Sequence, residues 1–223
     1  SLGRADVVEV PAEQVRQAQQ ARLSVISSPP VMLLALQVGD SGALANVKVR
    51  AAIAAAIDRG ALYNVIFQKQ GDVTASLLPQ RISGYSFLFP TERDLNNAHE
   101  LRGGLAASLL TMSADGDGAI QLAAQRIALN LHEAGFNVQM APVGAQRSDL
   151  ALRKFLVPGN DPAATLEGIS WEAGEFVPVT EQASFDLYKR EQSILNDHRI
   201  IPLLDLPLGY AIAAKVRDLH LRG

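Results

Sequence analysis

The chain contains no cysteine. That excludes disulfides and thiolate chemistry and removes the usual structural zinc sites. It leaves the compartment open, because a core of this size needs no covalent staple. Aromatic residues are also scarce, at 5%, with Trp171 the single tryptophan. No stretch reaches the roughly 18 consecutive apolar residues that a membrane-spanning helix needs. Ser24 to Val38 comes nearest, and Ser27-Ser28-Pro29-Pro30 interrupts it. Basic charge is not in excess: 20 Lys and Arg stand against 23 Asp and Glu, for a net charge of -3. The basic residues are scattered and form no stripe interleaved with aromatics, so a nucleic-acid partner is not expected. The opening SLGRADVVEV lacks an initiator Met and the basic and apolar regions of an export signal. This is expected of a chain trimmed on maturation or of a piece excised from a longer one.

What is present is 223 residues, 48% apolar and 19% charged, the balance of an ordinary soluble globular protein. A chain of this length buries about 70% of its unfolded surface. It shows no internal repeat or low-complexity segment. Its most informative stretch is Asn46 to Phe67. Val47, Ala51, Ala54, Ile57 and Ala61, backed by Val49, Ile53 and Ala56, keep step with 3.6 residues per turn, which predicts a buried helix. Asn46 suits an N-cap, and Gly60 suits either a stop or a break into a second helix. Lys48, Arg50, Asp58 and Arg59 read most simply as a solvated edge with one Arg/Asp pair.

Elsewhere the pattern alternates strands with helices. Residues 5 to 10 read as a short strand, followed from Pro11 by a polar helix to about Arg22. Leu23 to Ser27 and Val31 to Val38 are β-like runs with the double proline between them. Leu105 to Met112 reads as a strand, Asp115-Gly116-Asp117-Gly118 as a turn, and Ala119 to Ala134 as a helix with its apolar residues at Leu122, Ile127, Leu129 and Leu131. Phe136 to Met140 completes a β-α-β unit, which calls for a mostly parallel sheet. Ser148 to Leu156 is a further strand, Asp161-Pro162 opens a short helix to about Ile169, and Trp171 falls in a loop with Glu172 and Glu175. Glu181 to Leu195 is the last long helix, followed by strands at Arg199 to Leu206 and Tyr210 to Ala214.

Several motifs point to chemistry and do not carry it. Gly39-Asp40-Ser41-Gly42 matches the nucleophile loop of chymotrypsin-like proteases, yet it merely precedes an alanine-rich helix and has the composition of a turn. Gly116 and Gly118 begin a dinucleotide-type loop, but Gln121 stands where the third glycine belongs, and Asp115 and Asp117 would oppose a pyrophosphate. His99, His132, His198 and His220 are far apart and form no H-E-x-x-H, so no metal and no cofactor are expected. Glu172 and Glu175 are an acidic pair of the kind found on solvated loops, and no nucleophile, base and oxyanion set is recognisable.

One resemblance draws these features together. V-R-x-A-I-x-x-A-I-D-R, from Val49, Arg50, Ala52, Ile53, Ala56, Ile57, Asp58 and Arg59, resembles the signature helix of bacterial extracellular solute-binding proteins of the peptide/nickel class. Further motifs agree along nearly the whole chain. They are Gly3 and Asp6; Ala75, Pro79 and Gly84-Tyr85; Glu133, Ala134, Gly135, Phe136 and Val138; Leu187, Tyr188, Glu191, Gln192, Ile194 and Leu195; and Ile201-Pro202-Leu203, with Val216-Arg217-Asp218-Leu219 after it.

The resemblance implies an α/β chain forming one lobe of a periplasmic-binding-protein-like fold, a mixed, mostly parallel sheet flanked by helices. Residues 1–40 would be the hinge-proximal strands and helix, and 46–223 the body of the lobe. Such proteins close two lobes on a solute, so the implied partners are a small-molecule or short-peptide solute, the missing first lobe and the membrane permease of an ATP-driven importer, at a periplasmic or cell-surface location. An α/β enzyme acting on small molecules and a sensory domain of the same fold are the alternatives.

Tyr85 and Phe87, with Phe89, either line one face of an extended segment or pack over the core; the resemblance makes them cleft candidates, together with Phe155, Pro158, Asp161 and Trp171. Peptide-binding members carry an aromatic-x-x-Asp-x-x-acid-Pro run whose Asp meets the peptide α-ammonium. Here the run is Phe155 to Pro162, and Pro158 stands in place of that Asp. A proline neutralises no ammonium, so capture of free peptide N-termini is not expected unless Asp161 or Asp149 substitutes.

Overall fold

The computed structural model describes residues 5–11, 14–87, 89–104, 109–116, 118–142, 147–157, 161–174 and 183–216, with backbone alone at 183–186. Its frame is a seven-stranded sheet in the order β1 (Val7–Val10), β7 (Ile200–Ile212), β2 (Ser24–Val38), β6 (Leu150–Leu156), β4 (Leu109–Ala114), β5 (Asn137–Met140), with β3 (Asp72–Val73) added on β7. The sheet is mixed and flanked by helices, as expected. The balance is not. β4 runs parallel to β5 and to β6, whereas β2 is antiparallel to both β6 and β7, and β1 and β3 are antiparallel to β7. A helical crossover enforces parallel pairing only where it directly joins neighbours, as helix α6 (Gly118–Glu133) joins β4 to β5. The long central strands β2 and β7 come from opposite ends of the chain, where no crossover sets their direction.

The double proline does not separate two strands. β2 runs through it, and the ladder absorbs the missing N–H groups by register shifts on either side of Pro30, the response a sheet makes to proline. Ser28 Oγ fills one gap by accepting from Leu208 N at 2.9 Å. In the same way, the two strands expected from Arg199 onwards are the single β7, with a shift opposite Leu34 and Ala35.

The apolar alternation assigns the faces. Leu34, Leu36 and Val38 of β2 with Met112, Val138, Leu150 and Leu152 face α6 and helix α2 (Val47–Ala56) in the larger core cluster. Leu33, Ala35, Phe155 and Ile200 face the other way, under helices α7 (Pro162–Glu172) and α8 (Ala183–Asp197) and the segment carrying Leu77, Leu78 and Phe87.

Around α2 the periodicity is right and its phase is not. Asn46 caps the helix by accepting from Lys48 N at 2.9 Å. The buried face is Val49, Ala52, Ile53 and Ala56, while Val47 is exposed. The break falls at Ile57, before Gly60, and Asp58 restarts a short helix α3 (Arg59–Ala61) by accepting from Ala61 N at 2.8 Å.

Arg50 and Arg59 are not a solvated edge: they are 3% and 5% exposed. Arg50 donates to Asp197 O (2.6 Å), Asp197 Oδ1 (2.5 Å) and Leu44 O (2.8 Å), fastening α2 to the end of α8. On α6 the exposed leucines are Leu122 and Leu129, and alanines with Ile120, Ile127 and Leu131 fill the interface instead. Small side chains let this helix approach the sheet closely.

Candidate functional site at the carboxyl edge of the sheet

β4 and β6 are parallel neighbours, so their carboxyl ends lie on one edge of the sheet, where ligands of open α/β sheets bind. Beyond Ala114 the chain turns at Gly116, φ +142, and enters α6. A Cβ at Gly116 would come within 3.1 Å of Ile120 Cγ1, so the turn requires glycine. β6 ends at Leu156, and Val157 N still donates to Val31 O at 2.8 Å. Asp161 caps α7 by accepting from Ala163 N and Ala164 N at 3.0 and 3.1 Å. Two helices therefore start at this edge, each with the partial positive charge of its N-terminus.

The register Met32↔Leu156 places the first half of β2 beyond the same edge, with β1 and the end of β7 alongside. There a recess of about 140 Å³ opens, lined among others by Glu9, Met32, Ala119, Ile120, Lys154 and Leu206. Its charged residues are Lys154 and Glu9.

The aromatic candidates form a packed cluster. Phe87 stacks on Tyr188 at 4.7 Å and on Phe89 at 5.4 Å, and Tyr85 meets Phe87 edge-on at 5.7 Å. Tyr85 Oη donates to Glu191 Oε2 at 2.8 Å, and Glu191 Oε1 accepts from Leu77 N at 2.6 Å and Leu78 N at 3.1 Å. Burial raises the Glu191 carboxyl, against the lowering effect of these hydrogen bonds. Burial, and then Glu191, raise the Tyr85 phenol. Phe87 is 7% and Phe155 1% exposed, in the same core cluster. Tyr85 and Phe87 thus pack over the core, in one cluster with Phe155.

Pro158 lies outside the described residues. Asp161 sits on the edge, engaged as a cap. Asp149 does not: it precedes β6, and its Oδ2 accepts from Thr111 N and Thr111 Oγ1, both at 2.7 Å.

Trp171 lies in the last turn of α7, not in a loop, and is 71% exposed. The carbonyls just after it are held by the sheet: Arg153 donates to Glu172 O at 2.7 Å and Gln37 to Ala173 O. Arg153 and Gln37 belong to a polar groove of about 610 Å³ on the sheet face that α7 and α8 leave open, with Thr111, Ser113, Ser148 and Asp149. It is the larger concavity, floored by the strand face and reaching past the amino end of β6, whereas the edge recess opens beyond the carboxyl end of β6, where ligands of open α/β sheets bind. Lys154 and Glu9 had no motif to mark them. The groove had a partial signal, the polar Thr111 and Ser113 at alternate positions of β4 and Arg153 on the same face of β6.

Residues 3–174 match the family described as bacterial extracellular solute-binding proteins, family 5 Middle. The chain belongs to this family. Solved structures share the fold: NikA from Staphylococcus aureus in complex with Ni(L-His)2 superposes with a TM-score of 0.81 at 14% identity, over 98% of this chain and 55% of that one. A dipeptide binding protein from Pseudoalteromonas sp. SM9913 in complex with Met-Leu gives 0.80 at 16%, over 98% and 52%. The ABC transporter substrate binding protein CtaP from Listeria monocytogenes gives 0.77 at 17%, over 94% and 51%. No curated protein matches the chain. This family 5 chain thus spans about half the length of the solved structures it resembles.

Proposed function

We propose that this chain is one lobe of a solute receptor for an ABC-type importer, binding its solute between the carboxyl edge described above and the remainder of a longer protein. The observation that carries this reading is the convergence at one edge of the ends of β4 and β6, the starts of α6 and α7, and the strands β1, β2 and β7 that lead away from the body. Family membership supports it. The receptor binds without transforming its solute, works with a membrane permease, and acts in the periplasm or at the cell surface.

The edge is one wall of a site, so the chain alone supplies part of the contacts. In titration calorimetry the 223-residue chain binds no solute with sub-micromolar affinity, and the complete protein does; sub-micromolar binding by the chain alone would overturn the proposal. Lys154, on the wall of the recess, suits an anionic group on the solute, because the start of α7 is already taken by the Asp161 carboxylate and that of α6 follows Asp115. Lys154→Gln in the complete protein weakens an anionic solute by about tenfold, or about 1.4 kcal/mol. Short peptides are the solute class of some solved relatives. With Pro158 at the place of the ammonium-binding Asp, this receptor takes peptide-like solutes without relying on a free N-terminus. Nanomolar capture of an unmodified dipeptide, lost on N-acetylation, contradicts that.

A further inference from the structure

At the opposite end of the sheet from the carboxyl edge, a third cavity of about 390 Å³ opens between α2, α5 (Leu95–Arg102) and the start of β7. Its wall is mostly apolar, with Ala51, Ala54, Ala55, Phe89, Leu101 and Leu195. Into this wall is set Arg59, 5% exposed. Its Nε donates to Pro202 O at 3.0 Å and its Nη1 to Ala54 O at 3.4 Å, and among the described residues no carboxylate pairs with it. A guanidinium carries five N–H donors. Two carbonyls leave most of them without a protein acceptor, on a side chain that lines a cavity.

We propose that this cavity is a binding site for a small organic carboxylate with an apolar body, the carboxylate held by Arg59. The contrast with Arg50 defines the chemistry. Both arginines belong to the same signature segment and both are buried, but Asp197 neutralises Arg50. Arg59 stays uncompensated, a costly arrangement that a planar carboxylate relieves by pairing with two N–H groups at once. Burial alone lowers the Arg59 guanidinium to about 10, so it remains charged at neutral pH. His198, on the same wall, is lowered first by burial and then by Arg50, against the pull of Asp197, with Arg59 lowering it further. The inner end of the cavity therefore favours an anion.

Glu92 and Asp94 also line the cavity and are exposed, and Asp94 Oδ1 is occupied by Asn97 N at 2.9 Å. They repel a carboxylate on their side of the cavity and leave Arg59 as its favourable seat. The alanines provide the room for an aliphatic or phenyl body.

The test uses the 223-residue chain with 4-methylpentanoate and its uncharged isostere 4-methylpentanamide, followed by calorimetry and ligand-observed NMR. The carboxylate binds with a Kd of about 1 mM or tighter, and the amide binds at least about tenfold more weakly. Arg59→Met removes two structural hydrogen bonds and endangers the fold, so the decisive variant is Ala51→Leu. It fills the cavity and leaves Arg59 in place; with thermal melting unchanged, it lowers carboxylate affinity by about tenfold or more. Ala54→Val serves if Ala51→Leu fails to fold. Equal binding of acid and amide, unchanged affinity in the cavity-filling variant, or no carboxylate binding up to about 10 mM would each overturn the proposal.

Discussion

One face of the sheet has two halves built on the same strands. Leu33, Ala35, Phe155 and Ile200 lie beneath α7, α8 and the segment 76–87, and all four are buried. Two residues along each strand the same face carries Gln37, Arg153 and Ala151 and, on β4, Thr111 and Ser113; Arg153 donates to Gln37 and both reach the end of α7, while Thr111 bonds Asp149 and Ser113 bonds Ser148. Strand geometry is common to both halves; the cover differs. The covered half accordingly holds Glu191 and Asp205, the buried acids among the described residues. Glu191 has three hydrogen-bond donors, whereas the buried Oδ1 of Asp205 has no partner among the described residues.

The contrast is easily sharpened by mutation. Phe155→Ala opens a cavity in the covered half and lowers stability by about 3–5 kcal/mol in urea unfolding; a loss under about 1 kcal/mol would show that the half is not a packed core. Glu191→Leu strands the N–H groups of Leu77 and Leu78 and the Tyr85 hydroxyl, for a loss of about 3 kcal/mol, with Glu191→Gln recovering part of it.

Asp205 sets a pH dependence. Burial raises its carboxyl to about 7, with Asp72 and Glu191 adding to the shift and Thr74 and Arg81 opposing it. The folded state then holds the proton more tightly than the unfolded state, so the contribution to stability is full below about pH 4 and is lost as pH rises to about 7. Asp205→Asn removes that portion, and the gap between variant and parent shifts in favour of the variant by about 2 kcal/mol between pH 5 and pH 8. An identical pH slope in both proteins would refute the assignment. On the open half, Ser113→Ala stays within about 0.5 kcal/mol of the parent; a larger loss would mean that this half is covered after all.

Much of this architecture was legible in the residues. The helix after Asn46 and the α6 crossover were readable because each rests on local chemistry: a capping side chain and a 3.6-residue period. What local chemistry does not contain is direction and cover. The pairing of β2 with β7 joins residues more than a hundred positions apart, and it set a largely antiparallel sheet where the β-α-β unit alone suggested a parallel one. The same limit left open whether Tyr85, Phe87 and Phe155 line a cleft or pack over the core; in the fold Phe87 and Phe155 are buried in one cluster, with Tyr85 packed against it. Aromatic alternation marks a face and does not say whether that face meets solvent or a helix.

The order of strands and helices, the capping and the family's signature segment were thus determined by the sequence, because short-range sterics and hydrogen bonding act between neighbours in the chain. Which arginine of that segment is neutralised, and which is left facing a cavity, was decided only when Asp197 came to lie against Arg50 and Pro202 against Arg59. Charge compensation depends on distance in space, and the fold alone sets that distance.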